Sequence, residues 1–279
     1  MEGSVLLALG LTLFAGMATV LGSLIVFVAK KPNLTMLSFG LGLSSGVMVY
    51  VSLVELLPGA QEMIGISIGE RWGGWIATAA FFGGIGISAL IDKLVPEPAN
   101  PHEAIPLSEM TRAQSECEKG SAGAPSDTGK TSLARVGLLS ALAIGIHNFP
   151  EGMATFASSL ADMSLGFSIA IAVAIHNIPE GIAVAVPIFF ATGSRGKAFK
   201  YSLISGLAEP VGALLVYLVL MPFINNMVVG LMLAAVGGIM VFISFDELLP
   251  TAREYARGHT AIVGVVLGMA VMAFSLLLL

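Results

Sequence analysis

The sequence predicts an all-α membrane protein of eight transmembrane helices. Spans one to three recur in inverted orientation as spans six to eight, around a central pair, spans four and five. Three observations carry this expectation. Of 279 residues, 56% are hydrophobic and 11% charged, and the mean hydropathy is +0.91, whereas a soluble domain carries about 25% charged residues. The apolar residues run in blocks of about 20, a length that crosses a bilayer, bounded by Lys, Arg, Pro or Asn. Two pairs of these blocks are copies of one another.

The spans are expected at 5–28, 34–57, 74–94, 133–157, 164–190, 200–222, 226–249 and 260–279. The first has no basic stretch before it and no small-residue cleavage site, so it reads as a retained helix rather than a signal peptide. Alternate loops hold Lys30 and Lys31; Lys93, Arg112, Lys119, Lys130 and Arg135; Arg195, Lys197 and Lys200; and Arg253 and Arg257. The intervening loops hold only Arg71. The positive-inside rule then puts the first set in the cytoplasm and both termini on the periplasmic side of an inner membrane. Trp72 and Trp75, at the start of the third span, suit an aromatic belt at the outer interface.

Residues 1–279 read as one transmembrane domain. Within it, 95–131 is rich in Pro, Ser, Gly and charge without apolar period, and is expected to be a disordered cytoplasmic linker. His102 and Cys117 of this linker are too isolated to form a site. Cys117 is the only cysteine, which excludes an intramolecular disulfide and a thiolate metal cluster within one chain. The net charge of -5 is scattered, with no basic patch for nucleic acid. The glycine-rich third and eighth spans suit packing either within one bundle or between two copies of the chain as a homodimer.

The copies are close. Residues 46–62, from Gly46 through Glu55-Leu-Leu-Pro58 to Glu62, align with 238–254, from Gly238 through Glu247-Leu-Leu-Pro250 to Glu254. Ile146-His-Asn-Phe-Pro-Glu-Gly152 of span four aligns with Ile175-His-Asn-Ile-Pro-Glu-Gly181 of span five. Copies separated by an odd number of spans cross the membrane in opposite directions. Inverted repeats are typical of transporters, whose substrate sites lie near the bilayer midplane at the repeat interface.

An ionisable group inside a span costs at least about 2.5–3.5 kcal/mol, so a buried carboxylate there is a functional hypothesis by default. His147, Asn148 and Glu151 share one helical face, and His176, Asn177 and Glu180 repeat them. Two imidazoles, two amides and two carboxylates suit a borderline divalent ion such as Zn²⁺, Fe²⁺, Mn²⁺ or Co²⁺. Hard Mg²⁺ or Ca²⁺ calls for oxygen alone. Pro150 and Pro179 each remove a helical hydrogen bond and are expected to kink and open the helices at the site. Glu209, in Gly206-Leu-Ala-Glu-Pro210 of span six, is a further mid-membrane carboxylate. Glu55 and Glu247, with Asp246, either attract cations near the two mouths or cap helix ends in water. Met48 and its copy Met240 are packing residues or thioether ligands.

With these motifs the chain resembles the ZIP (Zrt/Irt-like) family of divalent metal transporters, and within it the bacterial ZupT-like branch. The similarity covers the whole chain except the linker. It implies uptake of zinc and other divalent transition metals into the cytoplasm through a binuclear site between helices four, five and six. By the resemblance, one metal position uses His147, Glu151, His176 and Glu180, with Met48 reaching it from span two. The other uses Asn148, Asn177 and Glu209, with Glu151 and Glu180 bridging. The linker departs from the His-rich loop of many relatives, since it holds only His102.

Three carboxylates with neutral histidines carry about -3, so the empty site should hold protons that an arriving ion displaces. An inside-negative potential supplies about 4.6 kcal/mol per 100 mV to a divalent ion. No Walker A motif is present and no resident cofactor is expected. The competing readings are an intramembrane metalloenzyme and a metal-stabilised structural membrane protein. Against the enzyme, His-Glu-x-x-His is absent, and the chain has His-x-x-x-Glu where a di-iron bundle has Glu-x-x-His.

Overall fold

The computed structural model of the chain describes residues 2–28, 34–94, 148–256 and 258–278. The linker with His102 and Cys117, the first part of the fourth span and His147 lie outside the described residues. All regular structure among the described residues is helical.

Seven described helices are long and apolar enough to cross a membrane: α1 (Ser4–Phe27), α2 (Leu34–Ile68), α3 (Glu70–Leu94), α5 (Met163–Thr192), α6 (Arg195–Phe223), α7 (Asn226–Glu254) and α8 (Thr260–Leu278). Residues 148–161 form a further helix, α4, at the place of the expected fourth span. The chain is therefore a helical, multi-pass membrane protein. Its outward face is apolar, with Leu6, Phe14, Leu218 and Phe274 exposed, as a lipid-facing surface requires. Trp72 and Trp75 are exposed at the start of α3.

Local chemistry sets the helix ends. Asp162 caps α5, its carboxylate accepting from the backbone of Ser164 (2.8 Å) and Leu165 (3.1 Å). Asn225 caps α7 through Val228 N–H at 3.1 Å. Gly193, at φ 64°, closes α5 in the left-handed region. Glu70 in the first turn of α3 and Lys93 in its last complement the helix dipole.

Several boundaries differ from the sequence expectation. Span two does not stop at Leu57 and span three does not begin at 74; α2 runs on to Ile68, and Gly69 alone separates it from α3. Span seven continues past 249 to Glu254, and span six starts at Arg195 rather than 200. Proline explains the first and third of these. Pro58 has no N–H for the carbonyl four residues back and its ring crowds that carbonyl. The helix answers by widening into a π turn at Ser52–Leu56, where Leu57 N–H reaches Ser52 O five residues back. Pro58 then occupies the first turn of a new α-helical stretch, Leu57–Ile68. The same solution recurs at Ser244–Leu248 before Pro250, with Leu249 N–H on Ser244 O.

Glu55 and Glu247 thus sit inside π turns of continuing helices, so they do not cap helix ends in water. Glu55 is half-buried, Glu247 buried and Asp246 exposed. The opening expected at Pro179 is also absent, because α5 remains one continuous α-helix through it. Beside the carbonyl that Pro179 frees, Ser44 Oγ donates to His176 O at 3.3 Å. Where a helix does break is α6. Its α-helical run stops at Gly206 and resumes at Ala208, because Pro210, four residues after Gly206, removes the donor that Gly206 O would have used.

The helices pack in two groups. α1 lies against α5 and α6, and α4 joins them through Gly152 on Glu209 and Gly212 on Phe149. α2 packs on α8, and α7 on α3 and α2. The groups meet chiefly where α2 crosses α5. The functional side chains lie in the first group, facing that crossing.

Candidate metal centre

α4, α5 and α6 bring the predicted polar residues together in the dry interior. Asn148, His176, Asn177, Glu180 and Glu209 are 0% exposed and Glu151 1%. His147 lies outside the described residues. A methyl at Gly152 would run into the backbone of Glu209, so the absence of a side chain after Glu151 lets α6 approach. Gly181 plays the same part after Glu180, against Thr19 O of α1.

His176 is held in a defined tautomer. Its Nδ1 lies 3.1 Å from Ala172 O, an acceptor only, so Nδ1 carries the hydrogen. The neutral ring therefore presents the bare lone pair of Nε2. That lone pair faces Glu151 Oε2 at 3.4 Å. Two acceptors facing one another need a positive charge between them, a proton or a metal ion. Bonds of about 2.0–2.2 Å from a tetrahedral ion would hold its ligand atoms about 3.4 Å apart. The observed separation therefore matches what one ion shared by both side chains requires.

The second half of the site is built on Asn177. Its amide donates to Ala15 O of α1 at 2.9 Å and to Glu209 Oε1 of α6. With both donors engaged, Asn177 Oδ1 is turned away as an acceptor. Asn148 is anchored in a related way, its amide donating to Ser205 O at 3.5 Å. Glu151 and Glu180 lie near enough to His176 and to Glu209 to act on both electrostatically.

Three buried acceptors at this place have no protein donor: Glu151 Oε1, Asn177 Oδ1 and Glu209 Oε2. Leaving such oxygens unsatisfied is costly in hydrocarbon surroundings, and a cation relieves the cost at all three. The chemistry of the donor set, imidazole nitrogen with carboxylate and amide oxygen, suits a borderline divalent ion. Among the described residues, no three His, Cys, Asp or Glu side chains lie close enough together to hold a metal ion, so His176 and Glu151 are the pair in place for one.

Met48 is fully buried, and its Sδ lies 3.9 Å from Ser44 Oγ. The single hydrogen of that hydroxyl goes to the nearer acceptor, His176 O at 3.3 Å, so Ser44 sits between Met48 and the His176 backbone at the α2–α5 crossing. Met240 lies on the other side, lining a narrow opening beside Glu151 together with Val51, Leu56, Ile169, Val173 and Val236. Sequence reasoning did not single out Ser44, although it lies one helical turn before Met48 on the same face. Nor did it find Ala172 O, whose role is a property of the backbone rather than of a side chain.

The profile of the family described as "ZIP Zinc transporter" matches residues 2–276. Among similar proteins, one from Streptococcus mutans named "Zinc transporter ZupT" is 53% identical over 268 residues, 96% of each chain. Proteins of the same name from Lysinibacillus sphaericus and Nitratidesulfovibrio vulgaris are 53% and 54% identical over 279 residues. The first alignment covers all of both chains, the second 99% of this chain and 98% of the relative.

Proposed function

Because the chain belongs to the ZIP zinc-transporter family, we propose that it takes up zinc across the inner membrane into the cytoplasm, together with Fe²⁺, Mn²⁺ and Co²⁺, through a binuclear site at the bilayer midplane. The family is one of transporters and not of enzymes. The observation that carries the site is His176 Nε2 facing Glu151 Oε2 at 3.4 Å, among carboxylates buried in membrane-spanning helices. One ion would draw His176, Glu151 and Glu180 together, with His147 and Met48 as further ligands. The second takes Asn148, Asn177 and Glu209, and Glu151 and Glu180 bridge the two.

Eight spans arranged as an inverted repeat explain the packing most simply. Gly16 of α1 and Gly206 of α6 each lie against the other's carbonyl. On either side of that crossing the contacts come in pairs. Gly152 on Glu209 O matches Gly181 on Thr19 O, and Gly212 on Phe149 O matches Gly22 on Ile178 O. In the other group, Gly46 on Val265 O matches Gly238 on Phe81 O. The amides follow the same rule, Asn148 on Ser205 O and Asn177 on Ala15 O. Such pairing supports a two-fold relation of α1 to α6, α2 to α7, α3 to α8 and α4 to α5. It favours movement of one helix group against the other as the route of alternating access.

The potential across the membrane drives the ion inward, at about 4.6 kcal/mol per 100 mV for a divalent charge. Because three carboxylates share the site, metal binding displaces protons and weakens as pH falls. The test is metal accumulation in proteoliposomes of the purified protein, with Zn²⁺, Fe²⁺, Mn²⁺ and Mg²⁺ offered separately. Accumulation of zinc and exclusion of Mg²⁺ is expected; zinc bound without accumulation would refute transport. Because His102 and Cys117 belong to none of the repeated polar motifs of the sequence, His102→Ala and Cys117→Ala should transport near the wild-type rate. A large loss in either would place the linker in the transport cycle.

A further inference from the structure

Three buried hydroxyls near the site, those of Thr19, Thr155 and Ser205, lack the bond that their neighbours make, and two of them, Thr19 and Ser205, belong to the helices α1 and α6 that cross there. A Ser or Thr buried in a helix ordinarily donates to the carbonyl four residues back, as Thr12 does to Ala8 O at 3.0 Å and Ser52 to Met48 O at 2.6 Å. Thr19 and Ser205 are 0% exposed, yet neither hydroxyl has a partner. For Thr19 the reason is visible: the carbonyl four residues back, Ala15 O, is engaged by the amide of Asn177. Ser205 is the residue whose own carbonyl receives the amide of Asn148.

Both hydroxyls lie at the crossing of α1 and α6. A methyl on Gly206 would meet Thr19 Cβ at 3.3 Å, and one on Gly16 would meet Glu209 Cβ at 3.4 Å. Thr19 therefore stands on one side of the crossing where Glu209 stands on the other. Glu209 takes the amide of Asn177; the side of Thr19 is the side on which Asn148 reaches Ser205 O. One face of the site thus ends in a carboxylate and the other in neutral hydroxyls.

We propose that Thr19 and Ser205 supply hydroxyl oxygens, directly or through a metal-bound water, to the ion position that takes Asn148, Asn177 and Glu209, on the flank of it where Asn148 lies. The inference rests on the binuclear reading above and extends its ligand set to α1. Neutral oxygens hold a divalent ion less tightly than carboxylates, and in the proposed orientation both residues lie inward of the Gly16–Gly206 crossing.

The test is equilibrium binding of Zn²⁺ and of Mn²⁺, each alone, to purified full-length wild type, Thr19→Val, Thr19→Ser and Ser205→Ala. Valine preserves the shape of threonine and removes only the hydroxyl. Thr19→Val should weaken one of two zinc affinities by roughly threefold to tenfold, the worth of one buried polar contact, and leave the other unchanged. Mn²⁺, which depends more on hard oxygen donors, should weaken more than Zn²⁺. Thr19→Ser should restore both, and Ser205→Ala should repeat the loss even if the valine variant fails to fold. Wild-type affinities for both metals in Thr19→Val, or in Ser205→Ala where valine does not fold, would overturn the proposal. So would equal loss at both ion positions that serine does not restore, since that pattern belongs to packing. Fewer than two zinc ions bound by the wild type would instead overturn the binuclear reading, and this inference with it.

Discussion

Glu151→Ala and Glu180→Ala are each expected to reduce zinc accumulation in proteoliposomes to the level of protein-free vesicles, while the protein still folds and inserts. Each carboxylate would bridge both ions, so its loss damages two coordination shells at once. For Glu151 the argument is sharper. Its Oε2 is the partner of His176 Nε2 at 3.4 Å and its Oε1 has no protein donor, so the side chain is oriented for a cation. Removing it leaves a lone pair of His176 facing a void. The loss should therefore appear in flux and metal binding, with far less effect on thermal stability in detergent. Wild-type uptake by a well-expressed Glu151→Ala protein would remove this site from the transport path.

Gly181→Val has the opposite signature. A Cβ at Gly181 would press into Thr19 O and the Cα of Gly22, backbone atoms that cannot swing aside. α1 and α5 would have to separate along their length, and overpacking of this kind costs about 1–3 kcal/mol or more. The expected result is a large fall in melting temperature and in folded yield. Gly10→Ala is the control, because space around Gly10 is open and the change should be silent. A Gly181→Val protein as stable as wild type would show that α1 and α5 do not cross as closely as described.

Much of this was legible in the residues. Helical class and the places of the spans follow from blocks of apolar residues, because the length of a membrane helix is fixed by the bilayer. The burial of Asn148, Glu151, His176, Asn177, Glu180 and Glu209 follows from their position in mid-span, since a charged group in lipid is retained only where it is used. What was not legible depends on backbone geometry. Pro58 and Pro250 read as stops, but a π turn absorbs each proline and carries the helix on. Pro179 reads as an opening, yet α5 stays continuous through it. The tautomer of His176 depends on Ala172 O, and the orphan hydroxyl of Thr19 depends on the competition of Asn177 for Ala15 O. No side-chain pattern announces either.

The central claim, two ions held between Glu151 and Glu180, is tested most directly by zinc X-ray absorption on the saturated wild-type protein, with the bound zinc counted in the same sample. The account predicts two ions per chain, a first shell dominated by nitrogen and oxygen at about 2.0–2.2 Å, and a zinc–zinc vector at about 3.5–4 Å. One ion per chain with no metal–metal vector would contradict it.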